Sequence, residues 1–229
     1  MFIAAVALVL AVAASPSPAV TAAPPIPGSG AAMGEFVGMI DRRIDARRSP
    51  AEVEKIDAGV RARYERPMAV MITDMTGMTS LTQKSGIIAF FTSIREMQRV
   101  AAPVIAANGA TWVKIDADDL FVVHASPKAL FATAKQLQAA ILKYDADEKQ
   151  TLSLAIGLAF GPTLVIGDEE LWGDPVNVAS KLGEDTAEPG EILVSEDFYK
   201  ALAAEGATPD CTLVRAKARA LKFPYYSCR

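Results

Sequence analysis

The period of the apolar positions changes along the chain, and each change marks an element. From Ala31 to about Arg63 the apolar residues Phe36, Met39, Ile40 and Ile44 fall three or four apart between charged neighbours. That spacing predicts a helix, and Ser49-Pro50 then opens a second one. Pro67 leads into the apolar run Met68 to Ile72, read as a buried strand that ends at Thr73-Asp74. After Gly77 a helical period returns through Phe90, Phe91, Ile94, Met97 and Val100 and stops at Asn108-Gly109. A hairpin follows: Thr111 to Ile115, the turn Asp116-Ala117-Asp118, then Leu120 to His124. Ser126-Pro127 opens a helix to about Tyr144. A strand then runs from Leu152 to Phe160, breaks at Gly161-Pro162 and resumes through Val165. The remaining pattern is a helix from about Pro175 to Gly183, a strand Ile192 to Val194 and a helix capped by Ser195. Two closing strands lie near 211–215 and 220–227. The order βαββαβ with further α/β units behind it predicts an α+β protein with a ferredoxin-like core, its helices on one face of an antiparallel sheet.

The first 30 residues fit none of this. They carry no Asp, Glu, Lys or Arg, so all 50 charged residues lie in the other 199. Phe2 to Ala14 is an unbroken apolar run, shorter than the ~20 residues a spanning helix needs, and a proline-rich stretch follows it. A targeting segment, the remnant of a membrane anchor, and sequence upstream of a later start at Met33 all remain open. The expected organisation is therefore an uncharged appendage over 1–30, a helical lead-in over 31–65 and a folded domain over 66–229.

Composition narrows the chemistry. A net charge of -4 and a pI near 5.2 argue against a nucleic-acid partner. One histidine (His124, at a strand end) and two cysteines far apart argue against a Ser-His-Asp triad, a Cys-His dyad, a His-rich metal site and a zinc or disulfide scaffold. Catalysis would have to run on carboxylates, lysines, amides or metal ions held by oxygen. Asp74 ends the first strand and Asp118 sits in the hairpin turn; in a ferredoxin-like sheet those strands are neighbours. Two converging carboxylates repel unless a divalent cation such as Mg²⁺ lies between them. Gly77 and the amides of Met78 and Thr79 open the next helix, where free N–H groups can receive phosphate. On spacing alone, turn-and-cap roles for the two acids fit equally well.

Four motifs tip the balance. Ile72-Thr73-Asp74-Met75-Thr76-Gly77-Met78-Thr79 and Val113-Lys114-Ile115-Asp116-Ala117-Asp118 resemble the two metal-binding motifs of class III nucleotidyl cyclases. Leu171-Trp172-Gly173-Asp174-Pro175-Val176-Asn177-Val178-Ala179-Ser180-Lys181 and Pro189 to Ser195 resemble the helix start and strand that follow them. The resemblance runs from about Arg66 to the C-terminus, in order. It implies attack of a ribose 3′-oxygen on the α-phosphate, giving a 3′,5′-cyclic nucleotide and pyrophosphate. Asp74, Asp118 and the carbonyl of Met75 would hold two Mg²⁺, with Mn²⁺ as a substitute. Asn177 would orient the ribose, and Lys114 and Glu170 would read the base, a pairing that resembles the adenine-selecting one and implies ATP. The family further implies a homodimer with composite sites, a cytoplasmic catalytic domain, and an upstream sensor or membrane element, with residues 1–30 as the candidate membrane attachment.

Three departures stand out. Lys181 occupies the place of the usual transition-state arginine and lacks its planar fork, with Arg219 or Lys217 as substitute phosphate contacts. Ala117 replaces a glycine, which matters if the turn needs positive φ. The connection from Gly161-Pro162 to Trp172 is short, which bears on Glu170. Lys181 keeps open a reading of another class: a non-catalytic, cyclase-like regulatory module that binds nucleotide, or merely dimerises, to signal to a partner. A guanylate cyclase is the other alternative.

Overall fold

A computed structural model of the chain describes residues 30–148, 152–214 and 223–228. Helices α1 (Ala31–Asp45) and α2 (Pro50–Tyr64) form an antiparallel pair joined by a 3-10 turn, Ala46–Arg48. Then come β1 (Glu65–Met75), α3 (Met78–Ala107), β2 (Thr111–Asp116), β3 (Asp119–His124), α4 (Pro127–Glu148) and β4 (Leu154–Ile166). The chain continues through β5 (Glu170–Trp172), α5 (Asp174–Gly183), β6 (Ile192–Ser195), α6 (Glu196–Ala204), β7 (Cys211–Val214) and β8 (Tyr225–Cys228). The sheet order is β2-β3-β1-β4-β6-β8-β7, with β5 paired to β4. Its first four strands, β2-β3-β1-β4, are antiparallel neighbours, the arrangement a ferredoxin-like βαββαβ unit requires.

The helices do not all lie on one face. α3, α4 and α6 cover one side, packing Met97, Leu137 and Phe198 against Met71, Leu120 and Leu158. α5 covers the other, with Ala179 packed against Val70, Ile72 and Ala159. The sequence carried the reason: Met68 to Ile72 is a continuous apolar run, which suits a strand buried on both faces, whereas one wet face would alternate. α5 sits unusually close to the sheet. A Cβ built on Gly157 would lie 2.1 Å from the carbonyl oxygen of Ala179, and one on Gly183 would lie 2.7 Å from that of Ile72. Bare backbone on both partners permits this approach.

Other departures from the expected elements have local causes. β4 runs through Gly161-Pro162 without a break, because these residues pair with Met68 and Pro67 of β1 in a regular antiparallel register. β5 has only three residues, too few to show an alternating pattern. α3 kinks at Gly86, whose φ of 82° and ψ of 174° are not helical, and beyond the kink Ile87, Ile88 and Phe91 stay exposed. Cys211 and Cys228 are directly opposite in the β7–β8 pair, 4.1 Å apart at Cα, and form a disulfide. Closing a loop of this length contributes about 3 kcal/mol in the chain-entropy account. The expected strand over 220–227 is confined to 225–228 among the described residues.

The α1–α2 pair is seated on the β4–β5 hairpin. Phe36 packs between Tyr64 and Trp172, with ring centroids 5.3 and 5.1 Å away, and Met33, Val60 and Ile166 complete this small core. Glu169 accepts a hydrogen bond from the Gly30 amide at 3.0 Å. Among the described residues no helix is long and apolar enough to cross a membrane; residues 1–29 lie outside them.

Candidate active site

Antiparallel pairing of β1 with β3 brings the two motif acids together. The last paired residues are Thr73 and Leu120, and the Thr73 hydroxyl accepts a hydrogen bond from the Leu120 amide at 3.3 Å. Beyond this point β1 carries Asp74 and the β2–β3 turn carries Asp118. Asp74, Asp118 and also Asp119 each present a carboxylate oxygen within 4.8 Å of the others. The turn that delivers Asp118 passes through Ala117 with a φ of 51°, so the position does need the left-handed region that glycine occupies freely. Ala117→Gly is expected to raise stability by about 0.5–1 kcal/mol, relief of the left-handed strain exceeding the added unfolded-state entropy. The shift of the urea midpoint would measure it.

Asp74 and Asp118 line one cleft with Met75, Gly77, Met78 and Thr79. Gly77, at φ 83°, turns the chain from β1 into α3, and Met78 is the first helical residue. The free amides of the first turn of α3 therefore border the acids, as an anion-receiving helix start would.

Burial first, and for Asp74 and Asp119 like charge second, raises the pKa values of these acids. Burial raises the pKa of Asp74 to about 6, with Asp118 and Glu184 adding like charge. Burial raises Asp119 to about 8, reinforced by Glu184, Asp74, Asp118 and Asp116. Asp118 is shifted upward too, again by burial. Raised carboxylate pKa values mean stability that is fully present below the ordinary carboxylate range and lost as pH rises through about 6 and then about 8. In chelator, the melting temperature is therefore expected to fall between pH 5 and pH 9. Mg²⁺ or Mn²⁺ should restore it, and by more at the alkaline end. Calorimetric scans across that range would show a flat profile if the acids kept ordinary carboxylate pKa values.

The residues expected to read the base also meet. A β-bulge between Trp112 and Lys114 shifts the register of β2 against β3, which re-aims the side chain that follows it. Lys114 Nζ lies 2.7 Å from Glu170 Oε1 and 4.7 Å above the centre of the Phe121 ring. The short β4–β5 connection therefore still delivers Glu170 to Lys114. Glu170 is further fixed by the Leu171 amide, which donates to it at 2.9 Å.

Asn177 and Lys181 are one turn apart on the exposed side of α5, in a separate cleft with Asp174, Ser180, Asp185 and Phe223. This cleft and the one holding Asp74 share no lining residue. Arg219 and Lys217 lie outside the described residues. His124 ends β3, where its Nδ1 accepts from the Ser126 amide at 2.8 Å, a turn-stabilising contact. Asp119 was missed from the sequence: as the first residue of a strand after an acidic turn it reads as turn punctuation.

The family pattern described as adenylate and guanylate cyclase catalytic domain matches residues 60–222. The chain belongs to this family. An adenylate cyclase of Streptomyces coelicolor is 29% identical over 139 residues, which are 60% of this chain and 35% of that protein. The chain thus spans about a third of the length of the curated relatives it matches. The adenylate/guanylate cyclase/hydrolase of Silicibacter pomeroyi superposes with a TM-score of 0.58 at 23% identity, covering 72% of this chain and 96% of that one. The guanylate cyclase domain of a rhodopsin–guanylate cyclase from Catenaria anguillulae, solved in complex with GTP, gives 0.62 at 18%, covering 72% and 97%.

Proposed function

We propose that this protein is an adenylate cyclase that works as a homodimer, with residues 66–229 as its catalytic domain and α1–α2 as a lead-in. The observation that carries the base preference is the 2.7 Å Lys114–Glu170 pair. A lysine can donate to the N1 acceptor of adenine, and a carboxylate can accept from its exocyclic amine.

The three clustered acids fit a divalent cation: they are hard oxygen donors, and the Oδ1 atom of Asp119 is buried without a hydrogen-bond partner. Asp74, Asp118 and the carbonyl of Met75 would hold two Mg²⁺. Bound there, the ions would lower the pKa of the ribose 3′-hydroxyl and offset phosphate charge. The amides of Met78 and Thr79, opening α3, would receive the phosphates. Asn177 would orient the ribose so that its 3′-oxygen lies in line with the leaving pyrophosphate, an effect of positioning without any covalent enzyme intermediate. As the new 3′-oxygen–phosphorus bond forms, the 3′-hydroxyl would lose its proton to water and the bond from the α-phosphorus to the bridging oxygen would break, releasing pyrophosphate. Lys181 would supply positive charge to the phosphate at that moment. As the family resemblance implies, the partner copy would bring Asn177 and Lys181 to the acids, giving two composite sites about a two-fold axis; within one copy the two sets line different clefts.

The test is turnover by the full chain with ATP or GTP and Mg²⁺ or Mn²⁺, against Asp74→Ala. Cyclic AMP formation lost in the variant is the expected result. Faster turnover of GTP would make it a guanylate cyclase. Lys181 motivates the other reading, a nucleotide-binding module: calorimetric binding of ATP with no product from either nucleotide would establish it.

A further inference from the structure

We propose that Asp119 is a third carboxylate ligand of the cation site, so that this chain holds its metal with three acids of one subunit where the family motifs supply two. The proposal rests on the cation reading of Asp74 and Asp118 given above and adds to it a residue that neither motif contains.

Three observations converge on it. The first is the pleat. Val70 and Ile72 of β1 and Phe121 and Val123 of β3 face the same core, the one under α5. Alternation along each strand puts Asp74 and Asp119 on that same face, and one step past the Thr73–Leu120 pair makes them cross-strand neighbours. Asp119 is thus turned toward Asp74 by the sheet itself.

The second is reach. Oxygens of Asp74, Asp118 and Asp119 lie within 4.8 Å of one another. Two oxygens bound to one Mg²⁺ at about 2.1 Å can be at most about 4.2 Å apart, so a small side-chain adjustment suffices.

The third is an unmet need. Asp119 Oδ1 is out of contact with water and makes no hydrogen bond. Among the described residues no lysine, arginine or histidine pairs with any of the three acids. A carboxylate oxygen left in that state is costly. The position belongs to a strand face otherwise occupied by Phe121 and Val123, so packing gives no reason for an acid there. A hard cation shared with Asp74 and Asp118 supplies the missing partner.

The experiment is Mn²⁺ binding to the full chain, followed by calorimetry and by the loss of the free-ion paramagnetic signal, with melting temperature measured in parallel. Asp119→Asn keeps the shape and removes the charge. It is expected to weaken Mn²⁺ binding at least about tenfold and to shrink the metal-induced rise in melting temperature. At the same time the metal-free protein should melt higher, because repulsion is relieved. Asp116→Asn, an exposed acid at the other side of the turn, should bind Mn²⁺ as wild type does. Wild-type Mn²⁺ affinity in Asp119→Asn would overturn the proposal. If Asp74→Asn abolishes binding in that case, the cation site at Asp74 and Asp118 stands and Asp119 alone is refuted. If wild type binds no Mn²⁺, the cation reading fails together with the proposal. Should the asparagine variant not fold, Asp119→Ser is read by the same two outcomes.

Discussion

Co-expression of two inactive variants, Asp74→Asn and Asn177→Ala, is expected to restore about a quarter of wild-type turnover. Each variant alone should fall at least about a hundredfold, since each removes a group that acts only in the assembled site. Random pairing makes about half the dimers mixed, and each mixed dimer keeps one intact composite site of two. The basis is the division of the candidate residues between two clefts with no lining residue in common. Pyrophosphate release by the unselected mixture of the two chains would measure it. Mixed dimers that remain inactive would show that the acids and Asn177 do not complete each other across subunits.

Gly157→Ala is expected to cost about 3 kcal/mol and lower the melting temperature by about 6–12 °C. The added methyl would lie 2.1 Å from the Ala179 carbonyl oxygen and 2.4 Å from the Gly183 amide nitrogen, both backbone atoms that no rotamer change can move aside. α5 must therefore shift as a body, carrying Asn177 and Lys181 with it. Turnover should fall more than stability alone accounts for, even well below the melting temperature. The same substitution at Gly34 provides the contrast. There a Cβ meets nothing within 4 Å on an ordinary helix, and alanine is expected to stabilise by up to about 1 kcal/mol. Thermal melts of both variants with turnover measured on the same samples would decide it. An unchanged melting temperature in Gly157→Ala would mean that α5 is not held at this contact.

The sequence was most informative where one residue does a local job. Asp74 at a strand end and Asp118 in a hairpin turn could be placed from the chain pattern, since strand termini and turns are read from neighbours. The Lys114–Glu170 encounter could not: a bulge in β2 and a three-residue β5 carry it, and neither leaves a periodic trace. Only the family resemblance pointed there. The position of α5 on the opposite face was encoded in the unbroken run Met68 to Ile72, yet that run does not say which helix covers which side. The Cys211–Cys228 bond depends on the register of β7 with β8, which two isolated short strands do not announce. Asp119 escaped notice because its significance lies in a cross-strand neighbour, 45 positions away in the chain.

The ion pair beside Phe121 has one more consequence, which concerns water. Lys114 and Glu170 are 28% and 19% exposed, so folding has already stripped most of their hydration and aligned them. An arriving base in the proposed site does not have to dry either group; it has only to come between them. A base able to accept from one and donate to the other replaces their mutual contact with two new ones. A base that can do neither leaves them closed on each other, and it is excluded by the strength of a contact that exists before it arrives.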